Sequence, residues 1–179
     1  MIKASVVAAL IGFPLFTACA GPSYRDAKIS EFTQANYAAV DRLVASTIVS
    51  IEKDVPLLVA TIVNIDSLNE SSRLGRLISE QISARLAQKG FSVVEMKLRS
   101  NVYIRQETGE LLLSRNVRDL SQNYDAQTVI VGNYAVASDY VYLTLKAVTV
   151  TDNRVIGAVN YELPITENNR AMLPQPRRQ

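Results

Sequence analysis

Between Phe32 and Lys53, apolar residues return every three or four positions: Tyr37, Val40, Leu43, Val44, Ile48 and Ile51. That repeat marks one face of a helix. The opposite face carries Asn36, Asp41, Arg42 and Ser46. The run PLLVATIVNI, Pro56 to Ile65, is nearly all apolar, which suits a strand buried on both faces. A second helical stripe follows, made of Leu74, Leu77, Ile78, Ile82 and Leu86. Ser71 or Ser72 is its expected N-cap, with Lys89 in the last turn and Gly90 as the stop. Gly75 lies inside this helix, where glycine costs about 1 kcal/mol relative to alanine. A close backbone approach to the sheet, or to a neighbouring subunit, would account for it.

FSVVEMK, Phe91 to Lys97, reads as the next strand. Strand, helix and strand in this order imply a parallel pair with a right-handed crossover. A short strand is expected around Val102 to Ile104, with a turn at Thr108-Gly109. A short helix follows in SRNVRDLSQNY, with Ser114 as cap and Val117 and Leu120 facing inward. Three strands close the domain: Thr128 to Ala137, Tyr140 to Val150 and Arg154 to Pro164. Ser138-Asp139 and Thr151-Asp152-Asn153 are turns, so these strands form an antiparallel meander. Gly132, inside the first of them, marks a bulge or a close contact. The expected fold is α+β or α/β. It has a single mixed sheet of about five strands, with a βαβ start, an antiparallel C-terminal meander and helices largely on one face.

The first residues follow neither period. Lys3 precedes an apolar run that ends in Thr17-Ala18, and the chain's one cysteine, Cys19, comes next. The run is too short to span a bilayer as a helix, which needs about 20 apolar residues. A charged start, a short apolar middle and small residues before a cut describe a secretory signal. One cysteine in an exported chain cannot form an internal disulfide. The combination resembles the lipobox of bacterial lipoproteins, in which the signal is cut before a cysteine that carries lipid, although Phe16 stands where leucine is usual. The organisation is therefore residues 1–18 signal peptide, 19–30 tether, 31–165 domain and 166–179 flexible tail.

Net charge is +2, with no long block of one sign, so nothing points to nucleic acid. Histidine is absent, which removes the commonest general base and transition-metal ligand. With Cys19 committed to lipid, no thiolate nucleophile or ordinary zinc site remains. Glu80 near Arg76 and Asp119 near Arg115 have the spacing of exposed helix partners. No enzyme activity, catalytic residue, metal or cofactor is expected. The five tyrosines from Tyr124 onward fall on or beside strands and read as sheet packing rather than a base-stacking platform.

Four segments carry a family resemblance: Ala35 to Val44, Pro56 to Ser100, Gly109 to Ser121 and Val129 to Val148. Within them, SSRLGRLISEQ and GELLLSR are the most specific blocks. The chain resembles the FlgO family of flagellar outer-membrane lipoproteins. That resemblance implies an acylated Cys19 and an outer-membrane location at the flagellar basal body; the periplasmic face is expected over the cell surface, an orientation the sequence leaves open. It also implies a role in flagellar assembly, stability or motility through protein contacts. The fold implied is similar to the N-terminal domain of TolB. It is also similar to periplasmic domains of the curli-secretion lipoprotein and of lipoproteins that activate penicillin-binding proteins.

The polar side of the second helix (Arg73, Arg76, Glu80 and Arg85), with Glu110 and Arg115 of the GELLLSR block, is the candidate partner surface. Basal-body or outer-ring proteins, and possible further copies of the chain, are the expected partners. An envelope regulator of a peptidoglycan synthase or secretion complex is the alternative. The tether bounds its reach at about 40 Å. A pore subunit would need spare amphipathic strands of about 9–11 residues, and none is visible outside the core sheet.

Overall fold

Ser30 caps the first helix, α1 (Glu31–Ser46), by accepting a hydrogen bond from the Thr33 amide at 3.3 Å. The structure is a computed structural model and describes residues 29–68, 71–96, 103–104, 112–113 and 115–173. The signal peptide, Cys19, most of the tether, the Thr108-Gly109 turn and Ser114 lie outside the described residues. Ala39, Val40 and Leu43 of α1 are fully buried. The helix ends at Ser46, short of the Lys53 that its apolar repeat suggests. The hydroxyls of Ser46 and Thr47 donate back to the carbonyls of Leu43 and Val44, at 2.8 and 2.9 Å. The Ile48 amide then leaves the helix for the Ile156 carbonyl at 2.8 Å. A β-branched run at Thr47-Ile48-Val49 favours that exit.

The apolar run expected as one strand is two, β1 (Leu57–Ala60) and β2 (Val63–Asn64). Both pair in parallel with β6 (Thr128–Val136). Val59 aligns with Ile130 but Val63 with Asn133, so one extra residue bulges out between them. The bulge faces the second helix, α2 (Arg73–Gln88). There the Ile62 amide donates to Ser79 Oγ at 2.9 Å. A Cβ built on Gly75 would sit 1.9 Å from the Ile62 carbonyl oxygen. The glycine in α2 is thus explained by a close approach to the sheet. Gly132 has the same cause: its Cβ would lie 2.6 Å from the Thr144 carbonyl and 2.8 Å from Ile62 Cδ1. Ser72 is the N-cap of α2, accepting from the Gly75 amide at 2.9 Å.

The remaining described strands are β3 (Val93–Met96), β4 (Tyr103–Ile104), β5 (Leu112–Leu113), β7 (Tyr140–Thr149) and β8 (Val155–Pro164). The main sheet runs β3-β1-β6-β7-β8, with β2 beside β6. Its β3-β1-β6 part is parallel and its β6-β7-β8 part antiparallel. This is the mixed sheet expected from the sequence, with six strands because β1 and β2 are separate. β4 and β5 form a separate antiparallel pair.

Side chains alternate between the two faces, as the pleat requires. Leu57, Val59, Ile130, Tyr134, Leu143 and Leu145 join α1 and α2 in the larger core. Leu58, Ala60, Val129, Val131 and Val148 turn the other way, toward Val117 of α3 (Arg115–Asn123). A short helix, α4 (Glu167–Arg170), follows β8. Thr166 and Asn169 form its capping box, and Asn169 Nδ2 donates to the Pro164 carbonyl at 2.7 Å. Ile165, Met172 and Leu173 pack on the larger core. Residues 166–173 are therefore folded down where a flexible tail is expected. Three apolar side chains spread among polar ones carry too little periodicity to reveal such a helix. With α4 on the same side as α1 and α2, the helices lie largely on one face.

Candidate functional site

The two large helices run side by side in the same direction, because the pairs Thr33–Gln81 and Asp41–Lys89 both advance along each chain segment. A polar chain, buried at Asn36 and Tyr161 and half-buried at Gln81 and Thr33, crosses their seam. Tyr161 of β8 donates to Asn36 Oδ1 at 2.6 Å, Asn36 Nδ2 to Gln81 Oε1 at 2.6 Å, and Gln81 Nε2 to Thr33 Oγ1 at 3.1 Å. Asn36 belongs to the polar face of α1 by residue type, yet it is fully buried. Tyr161 and Gln81 satisfy it, which is what makes its burial affordable. Burial pushes the Tyr161 hydroxyl well above the ordinary tyrosine range, so it stays a donor.

At the exposed end of the seam, Arg85 grips Asp41 through two hydrogen bonds, Nε to Oδ1 at 3.0 Å and Nη2 to Oδ2 at 2.6 Å. Lys89 adds an ion pair with Asp41 at 3.1 Å, and the Arg85 guanidinium lies 5.4 Å from the Tyr37 ring centre. These cations hold the Asp41 carboxyl below its ordinary pKa, the Arg85 hydrogen bond first. Arg85 therefore joins the two helices instead of facing outward with the rest of the expected partner surface.

Arg73, Arg76 and Glu80 are exposed on α2. Arg76 bonds the Ser71 carbonyl and hydroxyl, at 3.3 and 3.0 Å, in place of the expected partner Glu80. Arg73 and Glu80 have no ion pair among the described residues. Arg115 begins α3, which packs against the opposite face of the sheet from α2. Its side chain and Glu110 lie outside the described residues.

Large apolar side chains are exposed at both ends of the strands. Ile29 (58%), Ile65 (48%), Tyr140 (43%) and Val136 (38%) lie where α1 and α2 begin and β6 ends. Ile48, Val49, Tyr124 and Val155 lie at the other end. The apolar stripes that identify helices from sequence do not reveal either group, because each is assembled from several loops.

The long edge of β8 is largely closed. The Ile156 and Ala158 carbonyls already accept from the Ile48 amide and Ser46 Oγ. Pro164 has no amide to offer, and its carbonyl is held by Asn169. Strand addition along β8 is thereby confined to the short stretch around Asn160 and Glu162. A shallow cavity of about 540 Å³ adjoins it, lined by Arg42, Tyr142, Leu143, Thr144, Asn160, Tyr161 and Glu162. Glu162 is the single carboxylate in that lining, so the paired acids of glycosidase chemistry are not assembled there. Among the described residues, no three His, Cys, Asp or Glu side chains gather as metal ligands, and no helix is long and apolar enough to cross a membrane.

The C-terminal domain of LpoB from Salmonella enterica has a similar fold, with a TM-score of 0.53 at 15% identity, covering 75% of this chain and 98% of that one. The same domain from Escherichia coli gives the same values. The solution structure of E. coli LpoB gives a TM-score of 0.50 at 15% identity, covering 87% and 83%. No curated protein sequence matches the chain. The model of the FlgO protein family matches residues 37–168, from the middle of α1 through β8 to the start of α4. At 15% identity the LpoB likenesses show a shared fold. With most of its length matched by that family model, the chain belongs to the FlgO protein family.

Proposed function

We propose that this protein is an outer-membrane lipoprotein, anchored through acylated Cys19 and facing the periplasm, that supports flagellar assembly, stability or motility. It acts at the basal body by contact with other proteins rather than by catalysis. The family match over residues 37–168 is the observation that carries this reading. The signal-like run before Cys19 supports the anchor. One acyl chain binds membranes only marginally, so stable anchoring requires a second chain. Arg73, Arg76 and Glu80 remain candidate partner contacts on α2, with Glu110 and Arg115 as further candidates.

A C-terminally tagged chain should enrich with detergent-extracted basal bodies that retain their outer rings. Its absence there, with the protein present elsewhere in the outer membrane, would overturn the flagellar placement. That result would favour a regulator of a peptidoglycan synthase or secretion complex within reach of the short tether.

A further inference from the structure

The chain enters the described fold at Ile29, beside the start of α1. Around that entry, the ends of β6 and β8 and the start of α2 form one rim. Their closeness follows from the pairing. The Ile65 amide bonds the Tyr134 carbonyl, Ala137 bonds Tyr140 across the hairpin, and the Ile165 amide bonds the Asp139 carbonyl at 2.7 Å. Ile29, Ile65, Val136 and Tyr140 expose their apolar surface on this rim.

We propose that this rim rests on the lipid surface, with Ile29, Ile65, Val136 and Tyr140 entering the headgroup region. The inference rests on the acylated Cys19 of the proposed function. Chain length decides which end of the fold can meet the membrane. Ten residue steps separate Cys19 from Ile29, and fully extended they reach about 35 Å. β8 spans 10 residues, nine steps, or about 31 Å at the strand rise. Seating the far end, with Ile48 and Val49, on the bilayer would need the tether drawn almost fully extended along the whole domain, with only a few ångströms of slack. Seating the rim needs only a few ångströms of it. A short tether also keeps the rim at high local concentration near the surface, so weak contacts suffice.

The side chains suit that position. Tyrosine places an apolar ring and a polar tip at a membrane–water boundary. Charges near the rim almost cancel: Glu31, Asp66, Asp139 and Glu167 against Arg73, Arg76 and Arg170. The contact should therefore depend little on the fraction of anionic lipid.

The test uses full-length acylated protein, whose modified Cys19 leaves an introduced cysteine as the single free thiol. Ser138→Cys at the rim and Ser50→Cys at the far end each receive an environment-sensitive fluorophore. Each protein is bound to phosphatidylethanolamine–phosphatidylglycerol vesicles containing lipid with a spin-labelled headgroup. The Ser138→Cys label should be quenched several-fold more than the Ser50→Cys label, at low and high phosphatidylglycerol alike. Replacing Ile65, Val136 and Tyr140 together by serine should reduce that difference while the protein still floats with vesicles. Equal quenching of the two labels in protein that floats would overturn the rim contact alone. Failure to float, with an unmodified Cys19 by mass, would overturn the anchor and the rim contact together.

Discussion

An alanine at position 75 separates two accounts of that glycine. In an exposed helix, Gly→Ala stabilises by about 1 kcal/mol. Here the added methyl would meet the Ile62 carbonyl oxygen at 1.9 Å, and both partners are backbone. Gly75→Ala should therefore destabilise by roughly 2 kcal/mol or more, as overpacking does, read as a lowered urea midpoint. A raised midpoint would show that α2 does not approach the bulge so closely. This glycine was legible in the sequence because it breaks a strong helical stripe. Asn36 was not legible, because its partner Tyr161 lies 125 residues away. Asn36→Ala removes the acceptor for Tyr161 and the donor to Gln81, and should cost about 2–3 kcal/mol. Combined with Tyr161→Phe, the loss should fall well short of the sum of the two single changes. Additive losses would mean that the two residues do not share the bond.

Elements with a clear period and clear turn chemistry matched the sequence reading. In the meander β6-β7-β8, β7 and the end of β8 alternate buried and less buried residues while β6 is buried on both faces, and the chain turns where Ser138-Asp139 and Thr151-Asp152-Asn153 occur. The break between β1 and β2 had no such signal, since a continuously apolar run has no period to interrupt. The apolar spacing runs past the end of α1 because Ile48 and Ile51 continue it, although Ile48 is 75% exposed. Local β-branching and a long-range bond to β8 ended the helix instead. The α1–α2 seam offers a pH test. Arg85 and Lys89 hold Asp41 below its ordinary value of 3.8. A carboxyl whose pKa falls on folding stabilises the fold above the unfolded value, and that stabilisation is lost as pH falls through the folded value. Asp41→Asn should lower the urea midpoint at pH 7, by an amount worth under about 1 kcal/mol for so exposed a pair. The difference from the parent protein should close as pH falls below about 4. A difference that persists unchanged at pH 2 would assign the loss to packing rather than to charge.

At the scale of the whole molecule, the sequence was informative about class and family and much less so about surface. The order of elements and the parallel-then-antiparallel sheet follow from local patterns. The partner surface does not, because residues adjacent on a surface come from distant segments. The sequence grouped Arg85 with Arg73 and Arg76, and the structure turns it into the seam. The apolar rim around Ile29 and Tyr140 became visible only once strand ends and helix starts were brought together. If the chain is anchored at Cys19 and the rim rests on the lipid, the far end, with Ile48 and Val49, points away from the membrane. The most direct test is the mass of the N-terminal peptide of protein extracted from its native membrane. The predicted result is a chain that begins at Cys19 and carries diacylglycerol on sulfur, with or without a further acyl group on nitrogen. A chain that retains residues 1–18, or one in which Cys19 is an unmodified thiol, would contradict it.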